Sequence, residues 1–326
     1  MIRFFRSEAG AVLLWVAASL VLAAGLAPWL YQGGKGFAQL AREQDFAGLA
    51  GWLGYACRRA DFGRYFNRGL LLAALLLLPF LFRRLSKLRQ AGAHLLPPGD
   101  AVSWPAGMVQ YLIGLLLAGG VVWGLGMVLD GLGEFTSKPL LPGAKRVLIG
   151  VLIPAVMVSV VEEWLFRGLL LGLWLRVARP RAACLGVSLV FALLHFLAPP
   201  PGVGMAEPFS AVAGFRQLGG ILLQVVEPRF FAANFLTLFA VGMILAWVRL
   251  RTGRLWCSMG LHCGWVIAFK AYNLTHLKAS DGPLNSWWIG DDLRSGLLPL
   301  AALVLTAWLS HLLLKTTGYQ AKVRPA

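Results

Sequence analysis

Stretches of apolar residues close to bilayer-spanning length recur along this chain, and they decide what it can fold into. Eight candidates lie at roughly 9–31, 68–83, 105–130, 146–175, 181–198, 232–249, 256–274 and 295–314. Each approaches the ~20 apolar residues that a helix needs to cross a bilayer. Inside lipid every backbone N–H and C=O must be satisfied internally, so the choice is between helices and a closed barrel. A barrel strand alternates apolar and polar residues, and these runs do not. Of the 326 residues 58% are hydrophobic and 13% charged, against about 25% charged in a soluble domain. The sequence therefore predicts an all-α polytopic membrane protein with about eight transmembrane helices.

The formal net charge of +16 raises the question of nucleic acid. The basic residues fall in short loops between apolar runs, the pattern of membrane topology and of attraction to anionic headgroups. No basic stripe with interleaved aromatics lies on a soluble element, so nucleic acid is excluded as a partner. Counting Lys and Arg puts "RFFR", "RRLSKLR", "RVARPR", "RLRTGR" and the C-terminal tail on one side. That places both termini in the cytoplasm, with a bacterial inner membrane as the expected location. The N-terminal run starts like a signal peptide but continues to Tyr31, too long for one, and reads as a retained first span. Residues 32–67 alternate aromatic and basic residues and predict an interfacial amphipathic segment. Residues 199–231 open on "PPPGVG" and hold a short apolar piece, Leu218–Val226, that fits a re-entrant or interfacial element. Cys57, Cys184, Cys257 and Cys263 form no C-x-x-C pair, which argues against a zinc ribbon or a disulfide framework. No repeat or linker divides the chain, so residues 1–326 read as a single membrane domain.

The polar residues inside the apolar runs carry the functional signal, because an ionisable group there is costly unless paired or used. In "VEEWLFRG" (161–168), Glu163 and Arg167 stand at i and i+4 and share a helical face. Glu162 is rotated about 100° away. One acid is then neutralised locally, while the other remains for chemistry. A desolvated carboxylate has a raised proton affinity, which suits a general base near neutral pH. Pairing of both acids with arginines of other helices, in a purely structural role, is the alternative.

His195 lies in the following run, 14 residues after Arg181, and Glu162 lies 14 residues before Arg176. Both are then about 21 Å from the basic turn that joins the two runs. His262 lies eight residues after Arg254, only about 12 Å deep, so it matches the other two only if its turn dips inward. One acid and two histidines suit either hydrolysis by a glutamate-activated water or a zinc site with an open position. H-E-x-x-H and G-x-S-x-G are both absent. Cys263 points away from the direction of His262, and His311, near the end of the last run, reads as a packing or snorkelling residue.

The ordered set "EEWLFR", "FALLH" and "HCGWV" resembles the E-E-x-x-x-R, F-x-x-x-H and H-x-x-x-N motifs of the CPBP family, the CAAX prenyl proteases and Abi-type bacteriocin-processing or immunity proteins. The resemblance spans about 145–270, the expected catalytic core, and "RTGRLW" is also similar to that family. It implies a glutamate-dependent intramembrane endopeptidase in which Glu162 activates water and His195 and His262 orient it or bind the oxyanion. Glu163 and Arg167 would be supporting residues. The family asparagine falls at Val266, which has no polar side-chain atom; Asn234, at the start of the preceding run, is the candidate replacement. The implied substrate is a hydrophobic or lipidated peptide held at the membrane and cut near its C-terminus. The glutamate-base scheme needs no cofactor; if a metal such as zinc is used, Glu162, His195 and His262 are its candidate ligands. The departure at Val266 also fits a non-catalytic binding or immunity protein of the same fold. A proton-coupled carrier is disfavoured, because the hydropathy pattern shows no inverted repeat.

Overall fold

The computed structural model describes residues 7–89, 103–139, 142–176, 178–196, 207–224, 227–228, 234–280 and 282–316. Ten helices and two short strands are named here: α1 (Glu8–Glu43), α2 (Gly48–Arg59), α3 (Phe62–Arg89), α4 (Trp104–Gly131), β1 (Phe135–Ser137), α5 (Ala144–Leu175), α6 (Pro180–His195), α7 (Ala213–Gln224), α8 (Leu236–Thr252), α9 (Trp256–Thr275), β2 (His276–Lys278) and α10 (Leu297–Thr316). The chain forms two compact units, where the sequence offered no boundary. One is Met1–Ala93 with Leu194–Glu227; the other is His94–Leu193 with Pro228–Ala326.

Among the described residues five helices are long and apolar enough to cross a membrane: the stretches Gly10–Glu43, Phe62–Leu85, Trp104–Gly131, Ala144–Leu175 and Leu297–Lys315. The other three expected spans are helices as well. Two of them, α6 with 16 residues and α8 with 17, are short. The third, α9, has 20 residues but carries Ser258, His262, Lys270 and Asn273. Half of its residues are buried against neighbouring helices, and a helix enclosed by protein needs no apolar exterior of its own. The all-α, multi-pass membrane architecture stands.

In the first unit Ser7 caps α1, its Oγ accepting from Gly10 N at 3.1 Å. This helix continues well past Tyr31, so the mixed segment 32–67 begins as its polar end. The amphipathic element is the short helix α2, which exposes Leu49, Trp52 and Leu53. Lys35 Nζ donates to the carbonyls of Arg58 and Ala60 and ties the end of α2 to α1. The piece Leu218–Val226 falls in α7 as far as Gln224; its last two residues, like "PPPGVG", lie outside the described residues. Gly214 brings α7 onto the backbone of Ala24.

In the second unit α9 is packed against α4 backbone to backbone. A Cβ at Gly264 would lie 2.9 Å from Gly119 N, and one at Gly114 would lie 2.7 Å from Cys257 O. Gly260 meets the carbonyl of Tyr111 still more closely. Gly260 and Gly264 form a G-x-x-x-G pair, the small-residue device that lets membrane helices approach, and His262 sits midway between them. At the far end of α9, Tyr272 Oη donates to Gly126 O at 2.7 Å and Lys138 Nζ caps the helix through Asn273 O at 2.6 Å. The antiparallel pair β1–β2, with Thr136 opposite Leu277, closes that end.

Candidate active site

Helix α5 has two faces. Ile153, Met157, Val161 and Trp164 are exposed, as lipid-facing residues are, whereas Ala155, Ser159, Glu163 and Arg167 are wholly buried at a spacing of four. The inward stripe therefore places the second glutamate and the arginine on one line, and Glu162 at its edge with a side chain 25% exposed. Directly after Glu163 the helix widens into a π segment, Trp164–Leu170, and an earlier one spans Leu148–Leu152. Such segments are rare and gather at functional sites. No residue-type pattern signals them.

Arg167 is held through both terminal nitrogens. Its Nη1 donates to Glu163 Oε1 at 2.7 Å and its Nη2 to Gly242 O at 3.2 Å. The guanidinium lies 4.4 Å from the ring centre of Phe191, which meets Phe166 edge-on at 5.0 Å. Gly242 is needed for this arrangement. A Cβ there would stand 2.8 Å from Ser188 Cβ, so any side chain would force α8 and α6 apart and shift the carbonyl that Arg167 uses.

His262 joins the two glutamates. Its Nδ1 is 3.2 Å from Glu163 Oε1, and its Nε2 is 3.8 Å from Glu162 Oε2. An ionised carboxylate only accepts, so Nδ1 carries the hydrogen in this pairing, and a neutral ring then turns a lone pair at Nε2 toward Glu162. Glu163 thus serves two partners from one oxygen, Arg167 and His262. Two carboxylates face one guanidinium, so the cluster has one formal negative charge left for a proton to balance.

The depth mismatch expected for His262 is resolved by where its turn lies. Leu255, in the turn before α9, approaches α5 at Gly168, where a Cβ would lie 3.5 Å from its Cδ1. From that level Glu162 is six residues away and His262 seven, or about 9 and 10 Å. The turn is held there by Thr252, 3% exposed, whose Oγ1 bonds Val248 O and Arg254 O, and by Gly253 in the left-handed region at φ 68°.

The remaining candidates fall as follows. His195 is the last residue of α6 and is exposed, one turn beyond Phe191. The ring of Phe191 lies 6.2 Å from that of His262. Asn234 is half-buried in a π turn leading into α8, eight residues before Gly242 and so about 12 Å along the axis from it. Val266, at the family asparagine position, is 8% exposed and packs with Ala155 and the wholly buried Cys263. His311 lies beside the Trp247 ring. Among the described residues no three His, Cys, Asp or Glu gather as a metal-binding cluster; Glu162 Oε2 and His262 Nε2 stand 3.8 Å apart.

Sequence reasoning missed the Gly242 carbonyl, the aromatic box around Arg167 and the function of "GLHCG". Only the last had a legible signal, in its G-x-x-x-G spacing. Residues 144–268, which include Glu162, Glu163, Arg167, His195 and His262 but less than half of the chain, match a family model described as type II CAAX prenyl endopeptidase Rce1-like. No curated protein and no solved structure matches the chain.

Proposed function

We propose that this membrane protein, whose residues 144–268 belong to the Rce1-like CAAX protease family, is an endopeptidase that cuts a hydrophobic or lipidated peptide near its C-terminus with a water activated by Glu162. The observation that carries the reading is the position of His262, with one ring nitrogen on the buried glutamate and the other toward the partly exposed one. Glu163, held by Arg167, fixes the ring and its tautomer, as the orienting acid does in hydrolytic triads. Glu162 Oε2 and His262 Nε2, 3.8 Å apart, can both reach a single water at hydrogen-bond distance.

In the reaction that water attacks the scissile carbonyl carbon and its proton passes to Glu162. The carbonyl oxygen becomes an oxyanion. His195 supplies a donor to it in place of the missing asparagine, with Asn234 in a supporting position, while the neutral His262 ring, its Nδ1–H on Glu163, orients the water through Nε2. Collapse breaks the C–N bond, and Glu162 returns the proton to the leaving amine. The scheme requires no metal. A zinc ion held by Glu162, His195 and His262 is the alternative, in which it would polarise the carbonyl and the water. The basic turns at 176–181 and 249–254 are assigned to the cytoplasmic face of a bacterial inner membrane, with both termini on the same side.

The test is cleavage of a membrane-anchored peptide by the purified, reconstituted protein, with and without a prenyl group, and with products mapped by mass spectrometry. Cutting by wild type and its abolition in a folded His195→Ala variant support the reading. Val266, apolar and buried where the family carries asparagine, favours a second reading as a non-catalytic binding protein. Wild type that binds such peptides and never cuts them would establish that instead.

A further inference from the structure

A cavity of about 370 Å³ lies between the first half of α4, the start of α9 and the end of α10, in the range of small-molecule sites. It is separate from the glutamate–histidine cluster, because Leu261 faces it while the adjacent His262 faces Glu163. Its walls are hydrocarbon, and Val109, Ile113 and Leu313 are 55, 43 and 37% exposed, so it opens sideways toward the bilayer. Three polar side chains line it nonetheless, and one of them, Thr252, is already bonded to Val248 O and Arg254 O. Gln110, through both its amide nitrogen and oxygen, and Ser310, 3% exposed, have buried atoms with no hydrogen-bond partner among the described residues. A purely hydrocarbon occupant would leave both donors, Gln110 Nε2 and Ser310 Oγ, unmet, and buried polar groups are seldom left so.

The site has a definite depth and charge. Trp104 and Trp256 meet edge-on at 5.1 Å and mark the membrane interface, where such rings collect. Gln110 is six residues inward from Trp104, about 9 Å along α4. That is the level just beneath the headgroups, where a glycerolipid has its ester carbonyls. The lining ends at Thr252 and Leu314, whose chain neighbours are Arg251 and Lys315, both exposed. Stretches 103–117, 249–262 and 305–316 contain no Asp or Glu. The three lining stretches therefore bring cations and no acid to the mouth of the cavity.

We propose that this cavity binds one anionic phospholipid: an acyl chain between α4, α9 and α10, ester oxygens accepting from the Gln110 amide and the Ser310 hydroxyl, and the phosphate near Arg251 and Lys315. Such a lipid braces the helix that carries His262 without entering the reaction.

Native mass spectrometry of the full chain released from mixed vesicles tests this, with palmitoyl-oleoyl phosphatidylglycerol competing against the phosphatidylcholine of the same chains. One retained phosphatidylglycerol, preferred at least about tenfold, is the result expected. The double variant Arg251→Gln/Lys315→Gln should lower that preference to near unity while lipid is still retained. Gln110→Leu/Ser310→Leu should lose the retained lipid but keep its fold, because it removes the unmet polar atoms. Equal retention of both headgroups by wild type, or phosphatidylglycerol preference unchanged by loss of the two cations, would overturn the proposal. So would displacement of the lipid, one for one, by a prenylated peptide, which would make the cavity a substrate groove.

Discussion

Removing the positive charge of Arg167 while keeping its bulk isolates what holds the site together. In Arg167→Met the buried Glu163 carboxylate loses a 2.7 Å charge-assisted bond and retains only the His262 contact at 3.2 Å. Both partners are fully buried, so little solvent screening moderates the loss. Breaking a buried pair by deleting one partner costs about 3–5 kcal/mol, chiefly from the charge left behind. Methionine keeps most of the arginine's bulk beside Phe166 and Phe191, which limits the cavity left behind. The matched double variant Glu163→Gln/Arg167→Met removes both charges and should recover most of that stability, since replacing a buried pair as a whole is often neutral. Equilibrium unfolding in mixed detergent micelles reads all three proteins. If Arg167→Met unfolds within about 0.5 kcal/mol of wild type, a change typical of a surface substitution, the pair does not neutralise Glu163 and the division of labour between the glutamates fails.

Two further outcomes follow from the geometry. Gly260→Ala and Gly264→Ala each drive a Cβ into the backbone of α4, and overpacking of that kind costs about 1–3 kcal/mol; cleavage should fall with stability because His262 lies between them. Gly120→Ala, on α4 with nothing within 4 Å of its new Cβ, is the control and should be neutral in a thermal unfolding series. The general-base scheme also expects cleavage to survive exhaustive treatment with a chelator. Activity lost on chelation and restored by zinc, with metal content lost in both Glu162→Gln and His195→Ala, would turn those residues into ligands.

The parts of this site that sequence could reveal are those fixed by one helix. Glu163 and Arg167 lie one turn apart on α5, so their pairing needed only the helical repeat. The offset of Glu162 by about 100° followed from the same rule. Contacts between helices were less legible. Placing His262 required knowing that its turn reaches α5 at Gly168 rather than at the membrane surface, which depends on Thr252 and Leu255 in three dimensions. The Gly242 carbonyl is a backbone group and carries no residue-type signal; its accessibility depends on Ser188 of a different helix. Hydropathy located the helices, but among the described residues only five have the length and apolarity of a span by themselves, because α6 and α8 are short and α9 is wrapped by protein. It also ended α1 too early, since the polar continuation to Glu43 remains helical after the apolar run stops.

The claim at the centre of this account is that the two adjacent glutamates do different work, and Glu162→Gln beside Glu163→Gln tests it in one experiment. Both variants are reconstituted with the same membrane-anchored peptide, and cleavage rate and unfolding midpoint are read for each. The account expects Glu162→Gln to keep wild-type stability and lose cleavage by at least about 100-fold, the lower range for a general base. It expects Glu163→Gln to be destabilised, because Arg167 is then buried without its counter-charge. A Glu162→Gln protein that cleaves at the wild-type rate would contradict it.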